Sequence, residues 1–276
     1  MRLSYVMLDE VPSTNTYVKE HAGTLASGTV VYTPRQTAGR GWATNRWESE
    51  PGKNLSFTLL FKPACLPAAN QWLVSEGVAT GLINGIESAT GISDLMVKWP
   101  NDIYADDRKL AGILIENTVE GGLIKHSVIG VGLNVNQWRF VSDAPNPVSL
   151  CQLLAERQGT RPDETALPLD SLLRAVTEAV ATILDTVDQT ATDGRLPMVT
   201  EVSHMAYMRR LYRNDGEPHD WEDREGRRFQ AIIRDVTTDG HLELENIATR
   251  QRHLYGFKEV AQILPPTTND QLTTND

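Results

Sequence analysis

The chain has 276 residues, of which 40% are hydrophobic, and this suits one large domain with a small second one. Its net charge of −10 argues against a general nucleic-acid binder, and no run approaches the roughly 18 apolar residues of a membrane span. The N-terminus lacks the apolar core of a signal peptide. The only cysteines, Cys65 and Cys151, lie far apart without CxxC spacing, which fits a reducing cytoplasm and gives no thiol-rich metal site. A disulfide between them would be rare there.

The N-terminal segment predicts a short strand at residues 4–8 and a short helix at residues 17–21. Ser13 or Thr14 can serve as the N-cap of this helix. Capping alone is one interpretation of Ser13-Thr14-Asn15. The other is that a helix N-terminus with additional hydroxyl and amide groups binds a small polar ligand.

A long loop follows the strand predicted at residues 29–33. It holds two glycines, an arginine between them and two tryptophans: Gly39, Arg40, Gly41, Trp42 and Trp47. Long irregular loops in compact domains are usually functional or disordered. The mixture indicates a mobile flap around a phosphate-bearing ligand, with Arg40 supplying charge and a tryptophan supplying a stacking face. An ordinary flexible surface loop is the alternative.

Residues 55–61 alternate apolar and polar side chains, which predicts a half-buried strand. Pro67 then opens a predicted helix of roughly 20 residues with an apolar face. Gly77, Gly81 and Gly85 recur at every fourth position of this helix. We expect them to allow close packing of the helix against a sheet, because a membrane dimer motif would need an apolar segment.

Residues 95–116 predict two strands joined by a short connection, with a proline and an asparagine ending the first strand. Lys98 and Lys109 therefore lie at strand rims. The small residues after Lys109 let a backbone or a ligand approach closely. A plain hairpin with solvated lysines is one interpretation, and a point charge for a carboxylate or phosphate is the other.

The next predicted strand, at residues 123–131, ends in two glycines and two asparagines. Both a bulged strand and a close approach of backbone and amide to a ligand fit this composition. Two helices follow, at residues 148–157 and 169–187. From about residue 196 short strands and turns predict a small β-barrel, and the Thr/Asn-rich tail is expected to be disordered.

Five segments, in this order, closely resemble the biotin–protein ligases, also called biotin–[acetyl-CoA-carboxylase] ligases. They are Ser13-Thr14-Asn15, residues 36–41 (Gln-Thr-Ala-Gly-Arg-Gly), residues 98–102 (Lys-Trp-Pro-Asn-Asp), residues 108–116 (Arg-Lys-Leu-Ala-Gly-Ile-Leu-Ile-Glu) and residues 130–134 (Gly-Val-Gly-Leu-Asn). The resemblance covers residues 1 to about 190. It implies an α+β fold, with a mixed β-sheet packed by helices in a catalytic domain. The implied domains are residues 1–197, a small SH3-like β-barrel at residues 198–265, and a disordered tail at residues 266–276.

The resemblance also implies a two-step reaction in the cytoplasm. ATP, with Mg²⁺, activates biotin to biotinyl-5′-AMP. The biotinyl group then passes to a lysine on the biotin carrier domain of acetyl-CoA carboxylase or a related carboxylase. The implied magnesium arrives with ATP and has no dedicated protein site. Family members can form homodimers, and neither nucleic acid nor membrane is an expected partner.

The resemblance assigns site residues by position. The implied biotin-binding residues are Ser13, Thr14, Asn15, Gln36, Gly39, Arg40, Gly41, Lys109 and Gly112. The implied ATP- or adenylate-binding residues are Arg40, Trp42, Trp47, Lys98, Asn101, Asp102, Lys109 and Asn134. Lys109 and Arg40 are the implied catalytic residues: Lys109 neutralises the biotin carboxylate and the α-phosphate, and Arg40 lies on the loop that closes over the adenylate. The chain departs from the family pattern at Trp42, where a basic residue is often found.

Two other functions also fit these sequence features. A lipoate– or octanoyl–protein ligase resembles this fold and activates a related acid, and ATP–pyrophosphate exchange with each acid separates the two. A biotin-sensing binding protein would bind biotin without biotinylating a carrier domain. Because the catalytic part starts almost at Met1, without room for the winged-helix domain of some family members, we expect no repressor activity.

Overall fold

The computed structural model describes residues 1–39, 41, 47–141 and 146–264, and its larger part is a seven-stranded mixed sheet. The strands are β1 (Ser4–Met7), β2 (Thr29–Thr33), β3 (Leu55–Phe61), β4 (Leu95–Lys98), β5 (Asp102–Ala105), β6 (Arg108–Glu120) and β7 (Leu123–Leu133). Their order across the sheet is β1-β2-β3-β7-β6-β5-β4. Only the β1–β2 pair is parallel among these strands.

Helices cover both faces of this sheet. They are α1 (Thr14–His21), α2 (Trp72–Thr90), α3 (Leu150–Gln158), α4 (Leu169–Thr192) and α5 (Leu196–Arg209). Strand β3 lies inside the sheet, between β2 and β7, and is buried along its whole length. The prediction that it is half-buried is therefore wrong. Phe57 and Leu59 join the main core, whereas Leu60 packs with Val18 of α1 on the opposite face.

The glycines of α2 face another helix. A Cβ on Gly81 would lie 2.7 Å from Cα of Val180, and a Cβ on Gly85 would lie 2.6 Å from Cα of Val176. Both valines belong to α4, so the expected packing of this glycine face on the sheet is wrong. Small residues bring the two helix backbones together, and the core between α2 and the sheet is formed by the other side of the helix.

The C-terminal part is a five-stranded antiparallel sheet. Its strands are β8 (His219–Asp223), β9 (Arg228–Val236), β10 (Leu242–Asn246), β11 (Arg252–Tyr255) and β12 (Val260–Gln262), in the order β11-β10-β9-β8-β12. The sheet matches the expected SH3-like unit. Short strands were also expected from about residue 196, but α5 occupies that segment. The proposed domain limit at residue 197 coincides with the start of α5, and the predicted tail lies outside the described residues.

The C-terminal sheet is attached to the larger part of the molecule through α2, α5 and the turn between β4 and β5. Gly240, in the turn between β9 and β10, lies against the ring of Trp72, where an added Cβ would come within 2.6 Å of the indole. The indole N–H of Trp99 donates to the Gly240 carbonyl at 3.0 Å. His204 of α5 bridges Glu76 of α2 and Asp235 of β9, at 2.8 Å each. These contacts fix the second sheet beside the segment of residues 98–102.

Candidate active site

A cavity of about 800 Å³ lies between the two sheets and the start of α1. Twelve of the predicted site residues line it: Ser13, Thr14, Asn15, Gln36, Gly41, Trp47, Lys98, Asn101, Asp102, Lys109, Gly112 and Asn134. Gly39 is adjacent to the lining, where its carbonyl accepts the backbone N–H of Trp47 at 3.2 Å. Arg40 and Trp42 lie outside the described residues, so their roles stay predictions.

The first end of the cavity is formed by the start of α1. Ser13 occupies the N-cap position, but its side chain makes no capping hydrogen bond. Capping alone therefore does not explain this serine. The backbone N–H of Thr14 instead donates to Oε1 of Gln36 at 2.9 Å. The loop carrying Gln36 thus takes over part of the capping, and the serine hydroxyl lies at the cavity wall.

Asn15 rests in a depression of the sheet. A Cβ on Gly130 would lie 2.0 Å from its Oδ1, so only glycine accommodates the amide there. Gly130 pairs in regular register with Thr58 and with Leu114. The bulged-strand interpretation of residues 130–132 is therefore wrong. These glycines allow the side chains of Asn15 and Trp47 to approach the strand closely, and an approach of this strand end to a ligand stays a prediction.

A cationic group forms the second end of the cavity. Nζ of Lys109 lies 2.8 Å from Oδ1 of Asp102, and both side chains are about four-fifths buried. Nζ of Lys98 lies 5.4 Å from the ring centroid of Tyr104. Burial lowers the pKa of Lys98, an effect that the nearby Asp102 carboxylate opposes. The hairpin is present as predicted, but its two lysines line a cavity and are not solvated surface charges.

Two asparagines at this end differ in their bonding. Nδ2 of Asn101 donates to the Ile113 carbonyl at 2.6 Å, which ties the β4–β5 turn to β6. Nδ2 of Asn134 donates to the Val148 carbonyl at 3.0 Å. Oδ1 of Asn134 is buried and has no hydrogen-bond partner among the described residues. A buried acceptor without a partner is costly, so this oxygen is a good candidate for contact with a ligand.

A glycine floor connects the two ends. The indole of Trp47 lies over Gly112 and Gly132, where an added Cβ would come within 3.2 Å and 2.3 Å of the ring. The ring centroid is also 5.9 Å from Nζ of Lys109. Trp47 therefore faces the cationic end, where the resemblance expects the adenine. Stacking on adenine itself stays a prediction.

Sequence reasoning missed two residues of the cavity wall and one residue, Gln137, that joins loops beside it. Gln137 is buried and joins two loops: Asn54 donates to its Oε1 at 2.6 Å, and its Nε2 donates to Oε1 of Glu48 at 3.0 Å. Trp221 and Phe257 of the C-terminal sheet form part of the cavity wall. No sequence signal marked these three, because each depends on contacts between distant segments.

The part of the chain that forms this cavity also matches a known family. Residues 7–134 match the family described as biotin/lipoate A/B protein ligase. These residues form a biotin/lipoate A/B protein ligase family domain. The domain holds every predicted site residue and extends from β1 to the end of β7.

Two bacterial relatives are similar to this part of the chain. The bifunctional ligase/repressor BirA of Escherichia coli (strain K12) is 36% identical over 148 residues, which are 52% of this chain and 44% of that protein. The biotin–[acetyl-CoA-carboxylase] ligase of Paracoccus denitrificans is 33% identical over 132 residues, 47% of this chain and 53% of that protein. The chain thus spans about half the length of these relatives.

Solved structures share the fold over nearly the whole chain. The biotin protein ligase of Aquifex aeolicus, in complex with biotin and ATP, superposes with a TM-score of 0.71 at 19% identity, covering 95% of this chain and 99% of that chain. The Leishmania major biotin protein ligase, in complex with biotinyl-5-AMP, gives 0.60 at 19% identity, covering 93% and 100%. These likenesses confirm the predicted α+β fold, a mixed sheet packed by helices and followed by a small antiparallel sheet.

Three general expectations can be compared with the described residues. Cys65 and Cys151 are free thiols. No helix in the described part of the chain is long and apolar enough to cross a membrane. Within the same part, no group of three or more histidine, cysteine, aspartate or glutamate side chains is placed to hold a metal ion.

Proposed function

We propose that this protein is a biotin–protein ligase. It joins biotin to AMP at the expense of ATP, and then transfers the biotinyl group to a lysine of a biotin carrier domain. The observation that carries the proposal is one cavity with a polar end at Thr14 and Gln36 and a cationic end at Lys98 and Lys109. The similarity to named biotin–protein ligases supports it further.

The distance between the two ends suits an elongated acid. Leu114, beside Asn15, and Lys109 both lie on strand β6, five residues apart. At a rise of ~3.3 Å per residue, the two positions are about 16 Å apart. A ring that carries hydrogen-bonding groups would bind at the polar end and extend its chain along the glycine floor. Its carboxylate would then reach Lys109, where a positive charge reduces its repulsion from the α-phosphate.

The first step joins two anions. The carboxylate oxygen attacks the α-phosphorus of ATP, an acyl–phosphate bond forms, and the bond to the leaving pyrophosphate breaks. Lys109 and Lys98 supply positive charge at this end, and Arg40 is predicted to add a third on the loop that closes over the product. These side chains need only bind and orient the reactants, so no covalent enzyme intermediate is required.

Magnesium belongs to the proposal as a companion of ATP. Asp102 and the unpartnered Oδ1 of Asn134 are oxygen donors at the cationic end, and Mg²⁺ prefers oxygen ligands. Two such donors are too few for a protein-only site, and Mg²⁺ is commonly held by one or two carboxylates together with substrate phosphates. Bound there, Mg²⁺ would offset charge on the phosphates.

The second step requires a protein partner. The ε-amine of the carrier lysine attacks the acyl carbon, an amide forms, and AMP leaves. We propose the biotin carrier domain of acetyl-CoA carboxylase or a related carboxylase as this partner, and the cytoplasm as the compartment. A homodimer stays a prediction, which sedimentation velocity tests directly.

ATP–pyrophosphate exchange tests the first step with biotin, lipoate and octanoate as separate substrates. Exchange that depends on biotin and Mg²⁺, followed by labelling of an isolated biotin carrier domain, is the expected result. Exchange with lipoate or octanoate in place of biotin would assign the chain to the rival ligase class. Biotin binding without exchange and without labelling would identify a binding protein.

A further inference from the structure

Thr58 lies beneath the polar end of the cavity, in the middle of β3, and is fully buried. It pairs across the sheet with Gly130 of β7, which in turn pairs with Leu114 of β6. These three residues form one row on the face that receives α1. Thr58 itself does not line the cavity. Any effect that it has on a ligand must therefore pass through other side chains.

The row holds Asn15 on three sides. Oγ1 of Thr58 lies 2.6 Å from Oδ1 of Asn15, and Nδ2 of Asn15 donates to the Leu114 carbonyl at 3.2 Å. Gly130 leaves the space that the amide fills. Oγ1 of Thr58 also lies 2.8 Å from Oγ1 of Thr14. One buried hydroxyl thus contacts two adjacent residues at the start of α1, both of which face the cavity.

The hydroxyl protons of Thr58 and Thr14 determine whether Thr14 can accept a hydrogen bond from a ligand. A threonine hydroxyl has one proton, and Oδ1 of Asn15 can only accept, so Thr58 gives its proton to Asn15. Oγ1 of Thr14 can also accept from Thr58, at 2.8 Å, and it gives its own proton to Oε1 of Gln36, at 3.3 Å. Because a hydroxyl oxygen has two lone pairs, Thr14 keeps one that can accept a hydrogen bond even when Thr58 points toward it. Such an acceptor complements an N–H group on the ring of a substrate.

We propose that Thr58 is a positioning residue for the ring head of the acid substrate, because its hydroxyl fixes Asn15 and leaves Thr14 as a hydrogen-bond acceptor toward the cavity. This inference rests on the proposed function and deepens it: the matching substrate head is a ring that donates N–H groups, as the ureido ring of biotin does. A dithiolane or an alkyl chain offers no such donor. Thr58 therefore contributes to the choice of acid without touching it.

The test compares Thr58→Val, which keeps the side-chain shape and removes the hydroxyl, with Thr58→Ser, which keeps the hydroxyl. We expect Thr58→Val to weaken biotin binding about 10-fold, as loss of one buried hydrogen-bonding group would. The KM for biotin should rise by a similar factor, while the KM for ATP and kcat stay within about 2-fold. Thr58→Ser should restore most of the affinity. Thr190→Val serves as the matched control, because Thr190 is a buried threonine in α4 whose hydroxyl bonds only to backbone carbonyls of its own helix.

Direct calorimetric titration with biotin in the absence of ATP keeps this measurement independent of catalysis. An unchanged biotin Kd in folded Thr58→Val would overturn the inference and leave the proposed function intact. So would an equal rise in the KM values for biotin and ATP, which would indicate a general structural defect. If Thr58→Val fails to fold, Thr58→Cys, whose thiol is only a weak donor, replaces it in the comparison with Thr58→Ser under the same criteria. Lack of biotin binding by the unchanged protein would refute the proposed function and this inference together.

Discussion

The contact between His204, Glu76 and Asp235 makes a quantitative prediction about stability and pH. The hydrogen bond with Glu76 raises the pKa of His204 to about 9, with Asp235 adding to the effect. Glu76 is buried, and the burial raises its own pKa although the bond to His204 opposes this. The imidazolium is therefore the native form at neutral pH, bridging α2 and β9.

The sign and size of the effect follow from linkage. A histidine whose folded pKa lies above its ordinary 6.5 stabilises the fold fully below pH 6.5 and loses that contribution as pH rises through about 9. At ~1.36 kcal/mol per pH unit the difference corresponds to about 3 kcal/mol. Asp235 is half exposed, so water screens its share. We expect a net effect of about 2 kcal/mol.

Urea unfolding of the unchanged protein and of His204→Gln measures the contribution of the charged His204 to the unfolding free energy. Urea is uncharged, so it does not screen the interaction as added salt would. The difference in unfolding free energy between the two should be largest at pH 6 and should fall by about 2 kcal/mol by pH 9.5. Glu76→Gln should remove most of the pH dependence, because the hydrogen bond with Glu76 is the largest cause of the raised pKa of His204. A difference that stays constant from pH 6 to 9.5 would refute the assignment of the charged histidine.

Two further predictions concern the active site and the core. Lys109→Gln should lower biotin-dependent pyrophosphate exchange at least about 100-fold, because it removes a positive charge from the cavity. Lys125→Gln changes an exposed lysine and should leave the exchange unaltered. Near-normal exchange in Lys109→Gln would exclude Lys109 from the chemistry. Gly85→Ala should lower the unfolding free energy by about 1–2 kcal/mol in urea, because its Cβ would meet Cα of Val176. Gly23→Ala, with open space around it, is the control, and equal stability of the two variants would contradict the packing argument.

The strands around the site could be predicted from the sequence because buried strands are rich in apolar residues. Residues 95–97 and 110–115 are apolar apart from one glycine, and the turn after residue 98 carries a proline and an asparagine. Strand β3 shows where this reasoning stops. Alternation identifies a polar face at Ser56 and Thr58 but does not identify its cover, and here α1 covers it in place of water. The face interpreted as solvated therefore holds the polar residues beneath the site.

Tertiary contacts explain the other differences. The glycine spacing of α2 indicates a close approach but not its partner, and α4 is distant in sequence. Helix α5 has a weak pattern, since Val199 and Tyr207 are buried whereas Met198 and Val202 are exposed. The ordered segments of the resembling family led to twelve residues that line one cavity in the structure. Their individual roles stay predictions.

The Trp72–Gly240–Trp99 contact limits the exchange of C-terminal sheets between related proteins. One wall of the cavity belongs to the C-terminal sheet, and a turn that tolerates no side chain at its glycine seats that sheet between two indoles. A C-terminal sheet taken from a related protein would bring a turn of different shape and, with it, a different wall. The two sheets therefore form the cavity as a matched pair, and exchange of the smaller one would change the cavity without altering any residue of the larger one.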